Sequence, residues 1–430
     1  MTHTSSIPPE STPANATIDP AQQVMQWADA LALHSDHPDH LTCTYMTAAH
    51  RAVALQLAAW MRACGFDDVH EDAVGNVVGR YRAASGVNQP ALVATGSHYD
   101  TVRNSGRYDG RLGILLPMAV VAGMAARGER LPCDLEVVGF AEEQGVRYGS
   151  SFLGSSAYAG RFEDAMLSLR DAQGMPMRDA LVQGGREVGA IAQARTDLDR
   201  LAQFFEVHIE QGPVLLEQNL PVGVVTAIAG IVRRKVVLTG LAGHAGTTPM
   251  TMRRDAAAAA AKIVLFVERR CAREPGLVGT VGQLEVPDGS VNVIPGMCRF
   301  SLDIRATDDV VRDAAVKDIE EAIHEICSRR NIDVQIEEIL HAPAVPCAER
   351  HRAAWAQAIH ASGHDALSLP SGAGHDAMMM ANVTSISMLF VRCGNGGISH
   401  HPLETVSVDD VRVAVDVVQR FLARVGPRGG

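Results

Sequence analysis

Apolar residues recur three and four positions apart in two segments near the start of the chain, residues 21–34 and 47–64. This spacing predicts two amphipathic helices, each with one side against a core. Residues 112–127 form a longer apolar segment that is interrupted by Pro117 and is too short to span a membrane, so they predict one buried helix. A further helix is predicted at residues 407–422.

Short apolar runs typical of strands lie between the helical segments, at residues 91–95, 135–140, 204–207 and 385–391. Strands that alternate with helices predict an α/β fold, with helices flanking a mostly parallel sheet. Ligands of such sheets collect at the carboxyl ends of the strands. The segments that contain His98, the acid pair Glu142 and Glu143, and His208 each follow a predicted strand. One shared site is therefore expected there.

The pattern changes between residues 228 and 340. Residues 232–239 alternate between apolar and polar, residues 249–273 are helical with six consecutive alanines from Ala256, and two strands, a helix and a strand follow. This order predicts an antiparallel sheet covered on one face by two helices. We therefore expect a main α/β domain at 19–227 and 341–430, an inserted α+β domain at 228–340, and a flexible tail at 1–18.

Composition excludes several classes of protein. The length of 430 residues favours two or three domains, and 47% hydrophobic with 20% charged residues is typical of a globular enzyme. A formal net charge of -11 would repel nucleic acid. The basic run Arg233, Arg234 and Lys235 is too short to reverse that repulsion, and it is interpreted as a solvated face.

The cysteines and the N-terminal residues indicate a cytoplasmic protein. Eight scattered cysteines include no Cys-x-x-Cys pair, so reduced thiols are expected instead of a thiolate metal site or disulfides. The first residues lack the basic and apolar regions of a secretory signal. No membrane partner is expected, because no run of 18 apolar residues exists.

His98 and Asp100 lie two residues apart in Gly-Ser-His-Tyr-Asp-Thr. Side chains two apart on an extended segment point the same way, so the imidazole of His98 is expected to donate a hydrogen bond to Asp100. Such a bond fixes the tautomer of a metal-binding histidine. The alternative is a histidine and an aspartate that only complete a turn at the end of a strand.

Asp109 lies just before the buried helix, in Tyr-Asp-Gly-Arg-Leu-Gly. An aspartate at that position usually caps the helix. Its alternative role is to bridge two metal ions roughly 3.5 to 4 Å apart with its two oxygens.

Glu142 and Glu143 follow a strongly apolar predicted strand. Burying two carboxylates together is costly without cations, and divalent metals would remove that cost. One acid could then bind metal while the other moves protons. The sequence favours this interpretation over a solvated turn.

Other polar residues are ambiguous when each is considered alone. His400 and His401 follow a glycine-rich loop that allows backbone to approach a ligand, although a surface loop has the same composition. His375 and Asp376 repeat the His-Asp pairing. Structural roles are the simpler explanation for three residues of the inserted segment, which are His244, Asn292 and Arg305.

Five of these segments resemble, in order and spacing, the dinuclear metallohydrolases of the M20 peptidase family. They are Gly-Ser-His98-Tyr-Asp100-Thr, Tyr-Asp109-Gly-Arg-Leu-Gly, Phe-Ala-Glu142-Glu143-Gln-Gly, His208-Ile-Glu210-Gln-Gly-Pro and Gly-Gly-Ile-Ser-His400-His401-Pro. The similarity runs from about residue 23 to 422. It lies in the amidase branch, which contains allantoate amidohydrolases, N-carbamoyl-L-amino-acid hydrolases and β-ureidopropionases. His208 favours this branch, because the peptidases usually have an acid there.

The resemblance implies a role for individual residues. Two divalent ions per subunit, zinc or manganese with cobalt also possible, would be held by His98, Asp109, Glu143, His208 and His400. Asp109 would bridge the ions and Glu142 would be the general base. The implied substrate-binding residues are Gln211, His244, Asn292 and Arg305. Arg305 would clamp a carboxylate bidentately, and His244 would come from a partner subunit to stabilise the oxyanion.

The resemblance also implies an architecture and an activity. The main domain would be the dinuclear metallohydrolase domain, and the inserted one a lid and dimerisation domain of a homodimer. The motifs look closest to the allantoate enzymes, which act on a small ureido acid. A carbamoyl-amino-acid hydrolase, a β-ureidopropionase and a non-catalytic binding protein remain as alternatives. Two departures are Gln144, where an acid or glycine is common, and His401, a second candidate beside His400.

Overall fold

The computed structural model describes residues 19–424, so the tail predicted at 1–18 lies outside the described residues. The α-helices are α1 (Pro20–Ala32), α2 (Ala48–Ala63), α3 (Leu112–Ala126), α4 (Leu153–Tyr158), α5 (Met177–Gln183), α6 (Val214–Glu217), α7 (Ala256–Cys271), α8 (Asp309–Ser328), α9 (Glu349–Ala361), α10 (Ala377–Met380) and α11 (Val408–Leu422). The strands are β1 (Asp68–Glu71), β2 (Val77–Tyr81), β3 (Leu92–His98), β4 (Asp134–Phe140), β5 (Leu201–Ile209), β6 (Val222–Ile228), β7 (Gly230–Thr239), β8 (Gly243–His244), β9 (Val278–Thr280), β10 (Leu284–Glu285), β11 (Val293–Ile294), β12 (Met297–Ala306), β13 (Asp333–Ala342), β14 (Val345–Pro346), β15 (Leu367–Ser371) and β16 (Ile386–Val391).

The main sheet has the strand order β1-β2-β4-β3-β5-β16-β6-β14, and β15 pairs with β6. Its centre is parallel, because β4, β3, β5 and β16 run the same way. Strands β1, β2 and β14 pair antiparallel at the edges. The carboxyl ends of the central strands therefore meet at one edge of the sheet, which is where the predicted ligands begin.

Both faces of the main sheet are buried. In β3, Val93 belongs to the core under helices α1, α2, α3, α9 and α11, while Leu92 and Ala94 belong to the core on the opposite face. Helix α3 is buried along most of its length, as predicted from its uniformly apolar sequence. Thr47 and Ser407 begin α2 and α11, since each side-chain oxygen accepts a backbone hydrogen bond from the first turn.

A second, antiparallel sheet has the order β10-β12-β7-β13, with β9 against β12. Helices α7 and α8 cover one of its faces and enclose a separate core that includes Val236, Phe300 and Ile319. The other face is open. The predicted fold class, an α/β domain with an additional α+β unit, is confirmed. The exact domain bounds, and the roles of lid and dimerisation surface, stay predictions.

Several predicted elements have different limits in the structure. The helix predicted at 249–273 begins only at Ala256, because Asp255 caps it and accepts a hydrogen bond from the backbone of Ala258. The second unit also contains more short strands than expected, including the ribbon of β8 and β11. Strand β5 extends to Ile209, so His208 lies within the strand instead of after it.

All eight cysteines are buried free thiols, as expected. Among the described residues, no helix has both the length and the apolar character needed to cross a lipid bilayer.

Candidate active site

Three neighbouring parallel strands bring the first group of predicted ligands together. His98 is the last residue of β3, Glu142 and Glu143 follow β4 directly, and His208 is the next-to-last residue of β5. Because β3 is hydrogen-bonded to both β4 and β5, their carboxyl ends lie side by side. The fold itself thus places these side chains at one edge of the sheet.

Asp109 reaches the same edge from the loop before α3. Its loop turns sharply at Gly110, which has a φ of +67°. A Cβ atom at Gly110 would lie 2.4 Å from Nε2 of His98, so only glycine allows this close approach. Asp109 does not cap the helix, since Arg111 occupies the N-cap position. The carboxylate of Asp109 is free to face the histidines.

The carboxylate of Asp109 lies between two histidines. Its Oδ1 atom is 3.6 Å from Nε2 of His208, and its Oδ2 atom is 3.3 Å from Nε2 of His400. Side-chain atoms of His98, Asp109 and His208 lie within 4.8 Å of one another. Glu143 adjoins this group, with Oε2 3.8 Å from Nε2 of His98. The structure therefore brings all five predicted metal ligands into one cluster.

The orientation of two histidines is fixed by backbone carbonyls. Nδ1 of His98 is 3.0 Å from the carbonyl oxygen of Asp100, and Nδ1 of His208 is 2.9 Å from that of Ile209. Donation from Nδ1 leaves Nε2 available as a metal ligand. Oδ1 of Asp100, the predicted partner, is also within 3.3 Å of Nδ1 of His98, so the side chain and the backbone carbonyl of Asp100 both face this nitrogen.

Asp100 also connects two strand ends. Its carboxylate oxygens accept hydrogen bonds from the backbone N–H groups of Glu143 and Gln144, each at 3.1 Å. The acid pair after β4 is thereby held against the end of β3.

The loop that carries His400 is positioned by a buried acid, Glu404. One Glu404 oxygen accepts from the backbone N–H groups of Tyr108 and Asp109, and the other accepts from the hydroxyl of Ser399. The two loops are therefore joined beside the cluster. His401 turns away, since its Nδ1 accepts from the backbone of Leu403. This geometry distinguishes His400 from its neighbour.

The cluster carries strong electrostatic strain. Burial raises the pKa of Glu142 and of Glu143 well above the usual value, with further repulsion from Asp100. Although burial opposes both shifts, carboxylates raise the pKa of His98 and imidazoles lower the pKa of Asp109. Burial lowers the pKa of His208 to about 4, which favours the neutral imidazole that metals require.

These residues fit a pair of divalent cations. Four acids, Asp100, Asp109, Glu142 and Glu143, are buried together with the histidines. Within the described part of the chain, neither carboxylate oxygen of Glu142 has a hydrogen-bond partner. Buried carboxylates of this kind are stable only when cations or donors compensate them. Imidazole and carboxylate donors suit zinc, manganese or cobalt.

A pocket of about 250 Å³ opens above the cluster. Its lower wall contains the five predicted ligands together with Gln211, whose amide donates to Oδ1 of Asp109 at 2.8 Å. Its upper wall belongs to the second sheet, which supplies Arg305 and Arg233. Glu142 is not part of the pocket wall and lies buried beside it.

Two predicted substrate-binding residues lie elsewhere. His244 and Asn292 are exposed on the ribbon formed by β8 and β11, and neither lines this pocket. The carbonyl of Asn292 accepts a hydrogen bond from the backbone of Ala245, which keeps the two residues close. Exposed apolar side chains surround the ribbon, among them Leu241, Met250, Met252 and Val291.

His375 and Asp376, the second His-Asp pair, lie behind the cluster. The His375 ring is 4.5 Å from that of His208, and its Nε2 atom is 2.7 Å from the hydroxyl of Ser371. A second group that could hold a cation consists of Glu206, His208 and His375. Since Glu206 already accepts from Ser97 and from the backbone of Ala377, this group supports the cluster from below.

Sequence reasoning missed three residues at the site. Gln144, taken only as a departure from the family pattern, donates from its amide to Oδ2 of Asp109 at 3.0 Å. No sequence pattern pointed to Glu404, because two of its three partners, Tyr108 and Asp109, lie in a distant segment. Arg233 was interpreted as part of a solvated face, although its strand alternation already placed it opposite the buried Val232 and Val236.

Comparison with known proteins agrees with this geometry. Residues 94–424 match the model of peptidase family M20/M25/M40. The chain is 37% identical over 422 residues to a probable allantoate deiminase of Oryza sativa subsp. japonica, which covers 90% of this chain and 85% of that protein. It is 39% identical over 373 residues to an N-carbamoyl-L-amino acid amidohydrolase of Geobacillus stearothermophilus, covering 86% of this chain and 90% of the relative.

A solved structure shares the whole architecture. The amidase of the hydantoinase/carbamoylase family from Burkholderia multivorans superposes with a TM-score of 0.87 at 30% identity, over 94% of this chain and 97% of that one.

Proposed function

The chain belongs to peptidase family M20/M25/M40, and we propose that it is a metal-dependent amidohydrolase that cleaves a ureido carbon–nitrogen bond, with allantoate as the first candidate substrate. The resemblance inferred from the sequence motifs is thus confirmed. Hydrolysis of allantoate would give ureidoglycine, which can break down to ureidoglycolate, together with ammonia and carbon dioxide. The observation that carries the proposal is the Asp109 carboxylate, which lies between His208 and His400 at the base of a small pocket.

Two divalent ions are the proposed cofactors, and zinc, manganese and cobalt all suit the donors. When bound, they would supply Lewis-acid activation of the attacking water and of the ureido carbonyl. Asp109 is the proposed bridging ligand, since its two oxygens face different histidines. His98, His208, His400 and Glu143 complete the proposed ligand set.

Glu142 is the proposed proton carrier. It takes a proton from the attacking water and returns it to the leaving nitrogen, so the same carboxyl group serves as base and then as acid. Burial raises its pKa well above the usual value, and nearby cations would lower it again. A pKa between these limits suits transfer in both directions.

The upper wall of the pocket is proposed to hold the carboxylate of the substrate. Arg305 lines this wall, and its Nη1 atom also donates to the carbonyl of Gly372 at 2.6 Å. This contact connects the second sheet with the loop before His375. A pocket of about 250 Å³ admits a small ureido acid and leaves little room for a peptide.

A homodimer is proposed to complete each site. His244 is the residue proposed to come from another subunit, and neither His244 nor Asn292 lines the pocket of its own chain. Exposed apolar side chains around their ribbon support an interface at this surface. In the proposed assembly, His244 of the partner subunit stabilises the oxyanion. The eight reduced thiols fit a cytoplasmic location.

A second candidate is an N-carbamoyl-L-amino-acid hydrolase, since the relative from Geobacillus stearothermophilus is 39% identical. The reaction would be the same. The substrate would differ only in the other group on the carbon that carries its carboxylate and ureido groups. Comparing kcat/KM for allantoate, N-carbamoyl-L-amino acids and N-carbamoyl-β-alanine separates the candidates. A clear preference for allantoate supports the first, whereas a preference for either carbamoyl acid moves the protein to the carbamoylases or β-ureidopropionases. Hydrolysis of none would indicate a non-catalytic binding protein.

A further inference from the structure

Two arginines of the second sheet share one carboxylate, that of Asp303. Nε and Nη2 of Arg305 donate to its two oxygens at 2.6 and 3.0 Å, and Nε of Arg233 donates to Oδ2 at 2.8 Å. The sharing follows from the strand register, because Asp303 on β12 lies directly opposite Arg233 on β7. All three side chains therefore lie on the open face of the sheet, away from α7 and α8.

The guanidinium groups of Arg305 and Arg233 differ in which N–H donors remain available to a ligand. Arg305 uses one bidentate edge on Asp303 and donates from Nη1 to Gly372. The expected bidentate clamp therefore cannot use that edge for a substrate. Arg233 donates only from Nε, and its two Nη atoms make no hydrogen bond to any residue in the range 19–424. Both side chains line the pocket above the metal cluster.

Charge favours an anion beside this trio. Two guanidinium groups and one carboxylate leave a net charge of +1. Asp303 stays ionised because, although burial opposes the shift, Arg305 and Arg233 hold its pKa below the usual value. The trio therefore offers a carboxylate of the substrate a local positive charge on the upper wall of the pocket.

We propose that Arg233 is a second substrate-binding residue, which donates from its free Nη atoms to the substrate carboxylate alongside Arg305. Asp303 is a positioning residue, because its carboxylate holds the guanidinium groups of Arg233 and Arg305 side by side. This inference rests on the proposed function. It makes Arg233 a residue that determines specificity for substrates with a carboxylate. Two charged donor groups bind a carboxylate more strongly than one.

Steady-state kinetics with the metal-loaded full chain test the proposal. Arg233→Met removes the guanidinium and keeps an apolar side chain of similar length, whereas Arg233→Lys retains a charge. Lys235→Met is the matched control, because Lys235 lies two residues along the same face of β7 and does not line the small pocket. Circular dichroism and the melting temperature establish that each variant is folded.

We expect Arg233→Met to raise KM for allantoate about ten- to a hundredfold, with kcat changed by less than about threefold, because contacts far from the reacting bond contribute to uniform binding. Arg233→Lys should recover part of the loss, and Lys235→Met should match the wild type. A folded Arg233→Met protein with the wild-type KM would overturn the inference and leave the proposed function intact. A wild-type protein that hydrolyses no ureido acid would overturn both.

Discussion

Nε2 of His400 lies 3.3 Å from Oδ2 of Asp109, although the two residues are in loops that are far apart along the chain. The contact depends on Glu404, which holds both loops by hydrogen bonds. A histidine from the last quarter of the chain thus joins a cluster built by the ends of β3, β4 and β5 and by the loop before α3. This contact is the reason for proposing His400, and not His401, as a metal ligand.

Alanine substitutions of His400 and of His401 should have different effects on metal content and turnover. His400→Ala removes a ligand, so we expect the loss of about one metal equivalent per subunit and at least about a hundredfold of kcat. His401→Ala should keep both, because its imidazole caps a local turn. Metal content by mass spectrometry, together with turnover, checks the pair. Equal effects at both positions would contradict the assignment.

Substitutions of the adjacent acids Glu142 and Glu143 should also have different effects. Glu142→Gln is expected to keep its metals and lose about 10²- to 10⁴-fold in kcat, because proton transfer is removed while binding is not. Glu143→Gln should lose metal as well as activity. The measurement is metal content beside kcat for both purified variants. Near-normal turnover of a metal-loaded Glu142→Gln protein would exclude Glu142 as the base.

Gly110 offers a test of packing against the cluster. Alanine at Gly110 adds a Cβ atom 2.4 Å from His98 Nε2, whereas alanine at Gly128 meets no atom within 4 Å. Both glycines have nearly the same φ, +67° and +68°, so each alanine should lower the free energy of unfolding by a similar amount, about 1–2 kcal/mol, through backbone strain. We expect both variants to melt earlier. Only Gly110→Ala should lose metal and activity, and similar metal content in the two would count against the geometry.

Mixing two inactive variants tests the shared site. Glu142→Gln supplies an intact His244, and His244→Ala supplies an intact Glu142. A mixed dimer then has one complete site, so random exchange should restore about a quarter of the wild-type activity. The assay is turnover after unfolding and refolding the mixture, with each variant refolded alone as the control. If the mixture stays as inactive as its parents, His244 does not act across subunits.

Much of the fold could be predicted because local patterns are strong where burial is uniform. Helix α3 is apolar throughout, strand β4 is buried throughout, and Thr47 and Ser407 mark helix starts. Element limits in the second unit were less accurate. The alanine-rich run that starts at Ala256 suits a helix, but Asp255 and the irregular segment that contains Met250 decide where the helix begins.

The candidate site was predictable as far as spacing and family resemblance extend. His98, Asp109, Glu143, His208 and His400 come together in the structure. What could not be predicted depends on pairing between distant segments. The contact of Arg233 with Asp303 requires the register of β7 on β12, and the role of Glu404 requires the position of a loop. Neither leaves a pattern along the sequence.

The most direct test of the account is ammonia release from allantoate by protein stripped with a chelator and then reloaded with manganese or zinc. We expect negligible release without metal and full recovery at about two equivalents per subunit, because Asp109, which lies between His208 and His400, is the proposed ligand of both ions. Release that is equally fast from the stripped protein would contradict the account. So would a reloaded protein that releases no ammonia from allantoate or from any carbamoyl acid.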